Sequence, residues 1–191
     1  MKKNIILIGG GGHCASCIDV IEQEGIYKIT GIVDKNYDGK SLGYPSLGDD
    51  GDLKNLKKKF NYALITVGQI KNVEKRIKLF ELVKKIGFKT PNIISPRAYI
   101  SKNSILNEGS IFMHGAIINS RVLIGDNCII NTNALIEHDS IIENNCHIST
   151  GVIVNGSCLI KEGTFVGSNA TIVDSATTTK NDFINAGSLF K

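Results

Sequence analysis

Tryptophan is absent from this 191-residue chain, only three prolines occur, and aromatic residues make up 6% of it. Neither the glycine period of collagen nor the low hydrophobicity of a disordered chain is present. Hydrophobic residues make up 42% and charged residues 21%, near globular values. No apolar run reaches the ~18 residues of a membrane-spanning helix, so no membrane insertion is expected. The opening MKKNIILIGGGGH could be misread as a signal peptide, but its apolar run covers only Ile5 to Ile8 before four glycines. A first β-strand is the better reading. The five cysteines are odd in number and follow no secreted framework, which predicts reduced thiols in a cytoplasmic protein. The basic segments carry no interleaved aromatics and no binding-motif spacing, so nucleic acid is not an expected partner.

What is present is unevenly spread. Residues 1–97 hold 17 Lys/Arg against 10 Asp/Glu, whereas residues 98–191 hold 5 against 8. That step predicts two units. In the first, short apolar runs at 4–8, 28–33, 62–67 and 92–94 alternate with helical spacing at 13–24 and 73–86. Strands alternating with helices predict a parallel sheet with right-handed crossovers, a Rossmann-like half-domain of the α/β class.

Gly9, Gly10, Gly11 and Gly12 separate the first strand from the first helix. Gly10, Gly12 and Ala15 satisfy a G-x-G-x-x-A spacing, and Asp34 closes the second strand. Such a turn lets backbone N–H groups approach a phosphate at the helix N-terminus, so a nucleotide is the expected ligand. NAD is not, because residues 1–97 make only half of a dinucleotide fold. Cys14-Ala-Ser-Cys17 is a C-x-x-C at the start of that helix. Cys17 falls on the apolar stripe and no second pair exists, so packing is expected rather than redox or metal chemistry.

Residues 98–177 carry a repeat of six. Every sixth residue from Ile100 to Ile172 is apolar, thirteen in all, and every sixth from Ala98 to Ala170 is small or modest in size. A period of six suits neither a helix nor a hairpin array. It suits a solenoid of triangular section, one hexapeptide per side, with the apolar residue inward. Three hexapeptides make a coil, so about 4.3 coils should stack over roughly 20 Å at ~4.8 Å per strand. Cys128, Cys146 and Cys158 occupy small positions and are expected to pack.

Repeats of this form resemble those of the left-handed β-helix acyltransferases. The glycine turn running into His13 narrows the resemblance to the sugar acetyltransferases of the PglD/NeuD type, and it covers the chain to about residue 174. It implies left-handed coils, an exception to the usual crossover hand. It implies a nucleotide-sugar-binding domain at 1–97, a left-handed parallel β-helix acyltransferase domain at 98–191, and homotrimers with acetyl-CoA between neighbouring prisms. The segment Asn131-Thr132-Asn133-Ala134-Leu135-Ile136-Glu137-His138-Asp139 matches the family's catalytic motif N-T-x-x-x-I-E-H-[DE]. That match implies His138 as general base, with Asp139 fixing its tautomer, chemistry suited to acyl transfer from a thioester to an amine.

The same resemblance assigns Gly11, Gly12 and His13 to the nucleotide sugar, with Asp34 and Gly68 as further contacts. Lys35 stands where some relatives carry a second acidic residue. His147 matches a residue that meets acetyl-CoA near the thioester, where an N–H could stabilise an oxyanion. Asn131, Gly167, Ser168 and Gly187 fall on the same acetyl-CoA path, and His114 has no counterpart. Where relatives end in G-x-P-A-K, this chain ends Ala186-Gly187-Ser188-Leu189-Phe190-Lys191, which predicts weaker CoA binding. The expected function is acetyl-CoA-dependent N-acetylation of a UDP-linked 4-amino sugar in bacterial glycan biosynthesis, with no metal. O-acetylation of a sialic-acid-like sugar and a non-catalytic trimeric β-helix scaffold are the alternatives.

Overall fold

The computed structural model describes residues 2–191, and the chain divides into two units. One holds the residues up to Gly68 together with Glu74–Pro91. The other holds Gln69–Val73 together with Asn92–Lys191.

In the first unit, β1 (Lys3–Ile8) lies between β2 (Tyr27–Val33) and β3 (Tyr62–Ile65), all parallel. A central parallel strand is covered on both faces, which is why Ile5, Ile6, Leu7 and Ile8 form an unbroken apolar run with no exposure. Helix α1 (Gly12–Glu24) stops at Gly25, whose left-handed backbone (φ 73°) lets its N–H reach the Ile21 carbonyl. Helices α2 (Leu53–Leu56) and α3 (Glu74–Ile86) add Leu53, Leu79 and Val83 to a core with Ile6, Ile8, Val33 and Ile65. Burial pushes the Cys14 thiol up to about 11 and the Cys17 thiol higher still, so both stay protonated as packing residues at neutral pH. The apolar run at 92–94 does not join this sheet. Ile93–Ile94 pairs with Ile111–Phe112, so it opens the solenoid instead.

The second unit is a parallel β-solenoid of two-residue strands on three faces. Face one has six strands, from Ile93–Ile94 to Phe183–Ile184. Face two has six, from Tyr99–Ile100 to Leu189–Phe190. Face three has four, from Ile105–Leu106 to Leu159–Ile160. Each strand pairs with the one 18 residues away, so one coil takes three hexapeptides. The inward residues, Phe112, Ile118, Ile124 and their successors to Ile184, form one continuous core.

The period runs beyond 98–177 at both ends. Ile94 precedes it, and Thr178, Ile184 and Phe190 continue it. Thr178 breaks the apolar pattern without breaking the coil: its Oγ1 accepts the Lys161 N–H (2.8 Å) and lies 3.2 Å from Thr164 Oγ1. The terminus that departs from G-x-P-A-K is therefore part of the last coil, where Leu189–Phe190 pairs with Thr171–Ile172.

A third period of six governs the corners. Every sixth residue from Gly109 to Gly187 has left-handed backbone, including Arg121 (φ 63°), Asn133 (57°) and Asp139 (62°). Glycine, asparagine and aspartate tolerate this conformation best. From Asn127 onward each corner is tied to the preceding coil, as where the Asn145 N–H donates to the Asp126 carbonyl (2.8 Å). Asparagine side chains also lie over glycines one coil earlier, Asn133 over Gly115 and Asn169 over Gly151, where any side chain would collide with them. No helix among the described residues is long and apolar enough to cross a membrane.

Candidate active site

The corner after face two stacks Ser120, His138, Gly156 and Asp174 in one column at 18-residue intervals. The left-handed turn at Asp139 folds its carboxylate back on the preceding side chain, and Oδ2 lies 2.8 Å from His138 Nδ1. An ionised carboxylate can only accept, so Nδ1 carries the proton and Nε2 is the basic nitrogen. Arg121, one coil earlier, grips the same carboxylate through Nε (2.5 Å) and Nη2 (2.7 Å). Arg121 first, and His138 after it, hold the Asp139 carboxyl well below the usual carboxylate range. The His138 side chain is 57% exposed, so a solute can reach it. A Cβ placed on Gly156 would stand 3.1 Å from His138 Nε2, so the basic nitrogen faces the space this glycine leaves.

A second group gathers on face one and the corner that follows it. His147 is buried, with its ring edge-on to Phe165 (centroids 5.2 Å). Its Nδ1 lies 2.6 Å from the Gln69 carbonyl and so donates to it. Asn131 Oδ1 accepts the Thr132 N–H (2.8 Å), which turns the Asn131 amide nitrogen toward His147 Nε2 at 3.2 Å. His147 is thereby fixed as a neutral imidazole with both ring nitrogens engaged. The oxyanion role expected of its N–H finds no donor here, because that proton goes to Gln69. Gly167 is glycine for a reason of packing: a side chain would run into the Ala186 backbone. Ser168 Oγ lies 3.0 Å from Ser149 Oγ, and the Ser168 carbonyl accepts the Gly187 N–H (2.9 Å). Asn131, Gly167, Ser168 and Gly187 thus share the corner between faces one and two. His138 occupies the corner between faces two and three. Within one chain, face two separates the two groups.

In the first unit the four glycines of the turn divide into two pairs. Gly9 has φ 109°, and a Cβ on it would lie 2.5 Å from Val67 Cγ2. Gly10 lies against the Tyr37 side chain, with a Cβ meeting it at 3.0 Å. Gly11 and Gly12 have no atom within 4 Å of a Cβ and no left-handed backbone. The fold demands glycine at 9 and 10 but not at 11 and 12, where the space lies beside the start of α1. That helix start has no side-chain cap and no acidic residue in its first turn, which leaves its positive end to an external anion. Asp34 accepts the N–H of Gly10 (3.0 Å) and of Asn36 (2.9 Å), and the Gly10 bond first of all holds its carboxyl below 3.8. Asp34 and Lys35 line a cavity of about 390 Å³ with Asn36, Asp50 and Lys75, at the carboxyl ends of the strands. Gly68 faces His13, where a Cβ would approach the His13 Cβ to 3.3 Å.

Residues 4–83 match the family described as the PglD N-terminal domain. PerB from Caulobacter crescentus, solved in complex with CoA and GDP-perosamine, is 30% identical. The match covers 98% of this chain and 88% of that one, with a TM-score of 0.92. The chain belongs to the sugar acetyltransferases of the left-handed β-helix family. The acetyltransferase domain of PglB from Neisseria gonorrhoeae FA1090 is 27% identical over 100% of this chain and 92% of that one, with a TM-score of 0.92. WeeI from Acinetobacter baumannii AYE, at 20% identity, 98% and 96% coverage and a TM-score of 0.63, shares the fold. Comparison with curated proteins finds no match.

For a sugar acetyltransferase of this family, two site residues carry no motif. Arg121 reaches Asp139 only because one coil is 18 residues, a spacing open to reading once the repeat is known. Gln69 serves His147 through its backbone carbonyl, across 78 residues, and no sequence pattern announces such a contact.

Proposed function

We propose that the protein acetylates the amine of a nucleotide-linked 4-amino sugar in bacterial glycan biosynthesis, with acetyl-CoA as donor and His138 as general base. The observation that carries this reading is the Arg121–Asp139–His138 set, which leaves an exposed, basic Nε2. The incoming ammonium loses one proton to water. As the neutral nitrogen attacks the thioester carbon, His138 Nε2 takes a second proton, the C–N bond forms and the C–S bond breaks. His138 then returns that proton to the departing sulfur. Asp139 stabilises the imidazolium while it lasts and holds Nε2 toward the amine.

Gly11, Gly12, His13, Asp34, Lys35 and Gly68 hold the nucleotide sugar in this scheme, and the first unit, which ends at Pro91 and not at 97, serves as that domain. Asn131, His147, Gly167, Ser168 and Gly187 line the acetyl-CoA path on the β-helix. A uridine diphosphate sugar is the first reading of the acceptor. A guanosine diphosphate sugar is the second, favoured by the GDP-perosamine bound to PerB. The active assembly is a cyclic homotrimer. The base and the acetyl-CoA corner lie at opposite edges of face two, whose outward column is apolar but for Thr171 and includes Tyr99 and Leu189, 59% and 57% exposed. A second copy against that face covers it and completes the site.

The test is an acetyl-transfer assay with UDP- and GDP-linked 4-amino sugars, run beside light scattering. Acetyl-CoA-dependent mass gain on an amine by a trimer is expected. A monomer that transfers nothing removes the reading.

A further inference from the structure

The His138 corner holds one more charged group, which the transfer scheme leaves unused. Asp174 lies two coils after His138 in the same column and is exposed. Its Oδ2 accepts the Ser175 hydroxyl (3.0 Å), whereas Oδ1 forms no hydrogen bond among the described residues. Oδ1 faces Gly156 instead. A Cβ on Gly156 would lie 3.0 Å from Asp174 Oδ1, 2.8 Å from His138 Cε1 and 3.1 Å from His138 Nε2. The general base and a carboxylate oxygen therefore close on the same glycine, and no methyl fits between them and its Cα. Gly156 has no left-handed backbone, so these two side chains, not the corner, exclude a side chain there.

The two classes of acceptor differ most at this point. A sugar amine arrives at neutral pH as an ammonium, with a full charge and three donors. A sugar hydroxyl arrives neutral, with one. A carboxylate beside the base favours the first and does little for the second. We infer that Asp174 is the residue that selects an amine acceptor: its Oδ1 receives the ammonium on the solvent side of the Gly156 corner, beside the nitrogen that later takes one of its protons. The inference rests on the N-acetyltransferase reading and deepens it by naming the residue behind the preference for an amine. Of the three ammonium protons, one is lost to water, one passes through His138 Nε2 to the sulfur, and one stays on the amide nitrogen. The attacking nitrogen keeps positive charge until His138 takes its proton, so Asp174 holds the bound acceptor and the transition state alike and acts on KM more than on kcat.

The experiment measures KM and kcat for a panel of UDP- and GDP-linked 4-amino sugars and their 4-hydroxy counterparts, at fixed acetyl-CoA. Asp174→Asn should raise the KM of the preferred amine about 10- to 100-fold while kcat stays within a few-fold. Asp174→Lys should raise it further, and Asp174→Glu should recover most of the loss. The KM of acetyl-CoA should not move. Should the Asn variant fail to fold, Asp174→Ser keeps a small polar residue at this exposed position and should raise the same KM. An unchanged amine KM in Asp174→Asn, a rise in the KM of acetyl-CoA instead, or no recovery with Glu overturns the inference. If His138→Ala abolishes amine turnover while Asp174→Asn leaves it untouched, this inference fails and the acetyltransferase reading stands. A wild-type protein that acetylates only hydroxyls, or nothing in the panel, overturns the inference as well.

Discussion

The glycine turn of the first unit and the corners of the solenoid meet one demand, a sharp backbone reversal, in opposite ways. At Gly9 and Gly10 the reversal occurs once, and neighbouring side chains close on it, so nothing larger fits. In the solenoid the reversal recurs at every sixth residue, and Arg121, Asn127, Ser157 and Asp139 adopt it as well as glycine. A left-handed backbone in a non-glycine residue is a cost, of order 1–2 kcal/mol. The repeated corner tolerates that cost because, from Asn127 onward, each one is bonded to the coil before it. The lesson is that a unique turn reserves its positions for the fold, while a repeated turn can give individual positions to chemistry. Asp139 is the clearest case, since the corner that strains it also delivers its carboxylate to His138.

Substitutions can break or sharpen this contrast. The largest effect should come from the corner used for chemistry. His138→Ala should lower kcat by roughly 10²–10⁴ with little change in the KM of acetyl-CoA, read by release of free CoA thiol. Asp139→Asn keeps a residue suited to left-handed backbone and should cost less. Arg121→Ala, which acts only through Asp139, should cost less again. If the order ran the other way, the assignment of roles along this corner would be wrong.

Next comes the glycine turn. Gly9→Ala should destabilise the protein by roughly 2–4 kcal/mol, from the φ of a non-glycine residue and the collision with Val67. Gly11→Ala should leave denaturant unfolding unchanged and weaken nucleotide-sugar binding in calorimetry. Equal unfolding midpoints for the two variants would dissolve the distinction between the glycine pairs.

The smallest effect concerns acid. The folded Asp34 carboxyl titrates below 3.8, so its ionised form stabilises the fold. That contribution is complete above the unfolded value and is lost as pH falls through the lower, folded one. Asp34→Asn removes it. The variant's stability should therefore decline less steeply than the wild type's below pH 3.8, as followed by circular dichroism. Parallel acid curves would show that the Gly10 bond does not hold the turn.

Much of the solenoid was legible because its core period is unbroken from Ile100 to Ile172. The ends were less so. Thr178 puts a hydroxyl where the pattern asks for a hydrocarbon, and only its bonds to Lys161 and Thr164 make it a core residue. Ile93–Ile94 has the same composition as a sheet strand, and pairing alone assigns it to face one. The left-handed column was present as Gly109, Gly115, Asn127 and Asn133, but Arg121, Ser157 and Ser175 blur its composition. His138 and Asp139 stood out through a contiguous motif. The tautomer of His147 did not, because it depends on a carbonyl far away in sequence.

The stacking of Asn133 over Gly115 and of Asn169 over Gly151 has an evolutionary consequence. Deleting six residues would leave the hydrophobic pattern intact, and such a chain would still fold as a prism. Everything downstream would nonetheless be turned by a third of a revolution, and His138 would change edge. Asparagines would then lie over corners that carry side chains instead of hydrogens. Length variation in the β-helix should thus be accepted in whole coils of 18 residues. Shorter insertions and deletions would disturb this side-chain register even though the core itself would accept them.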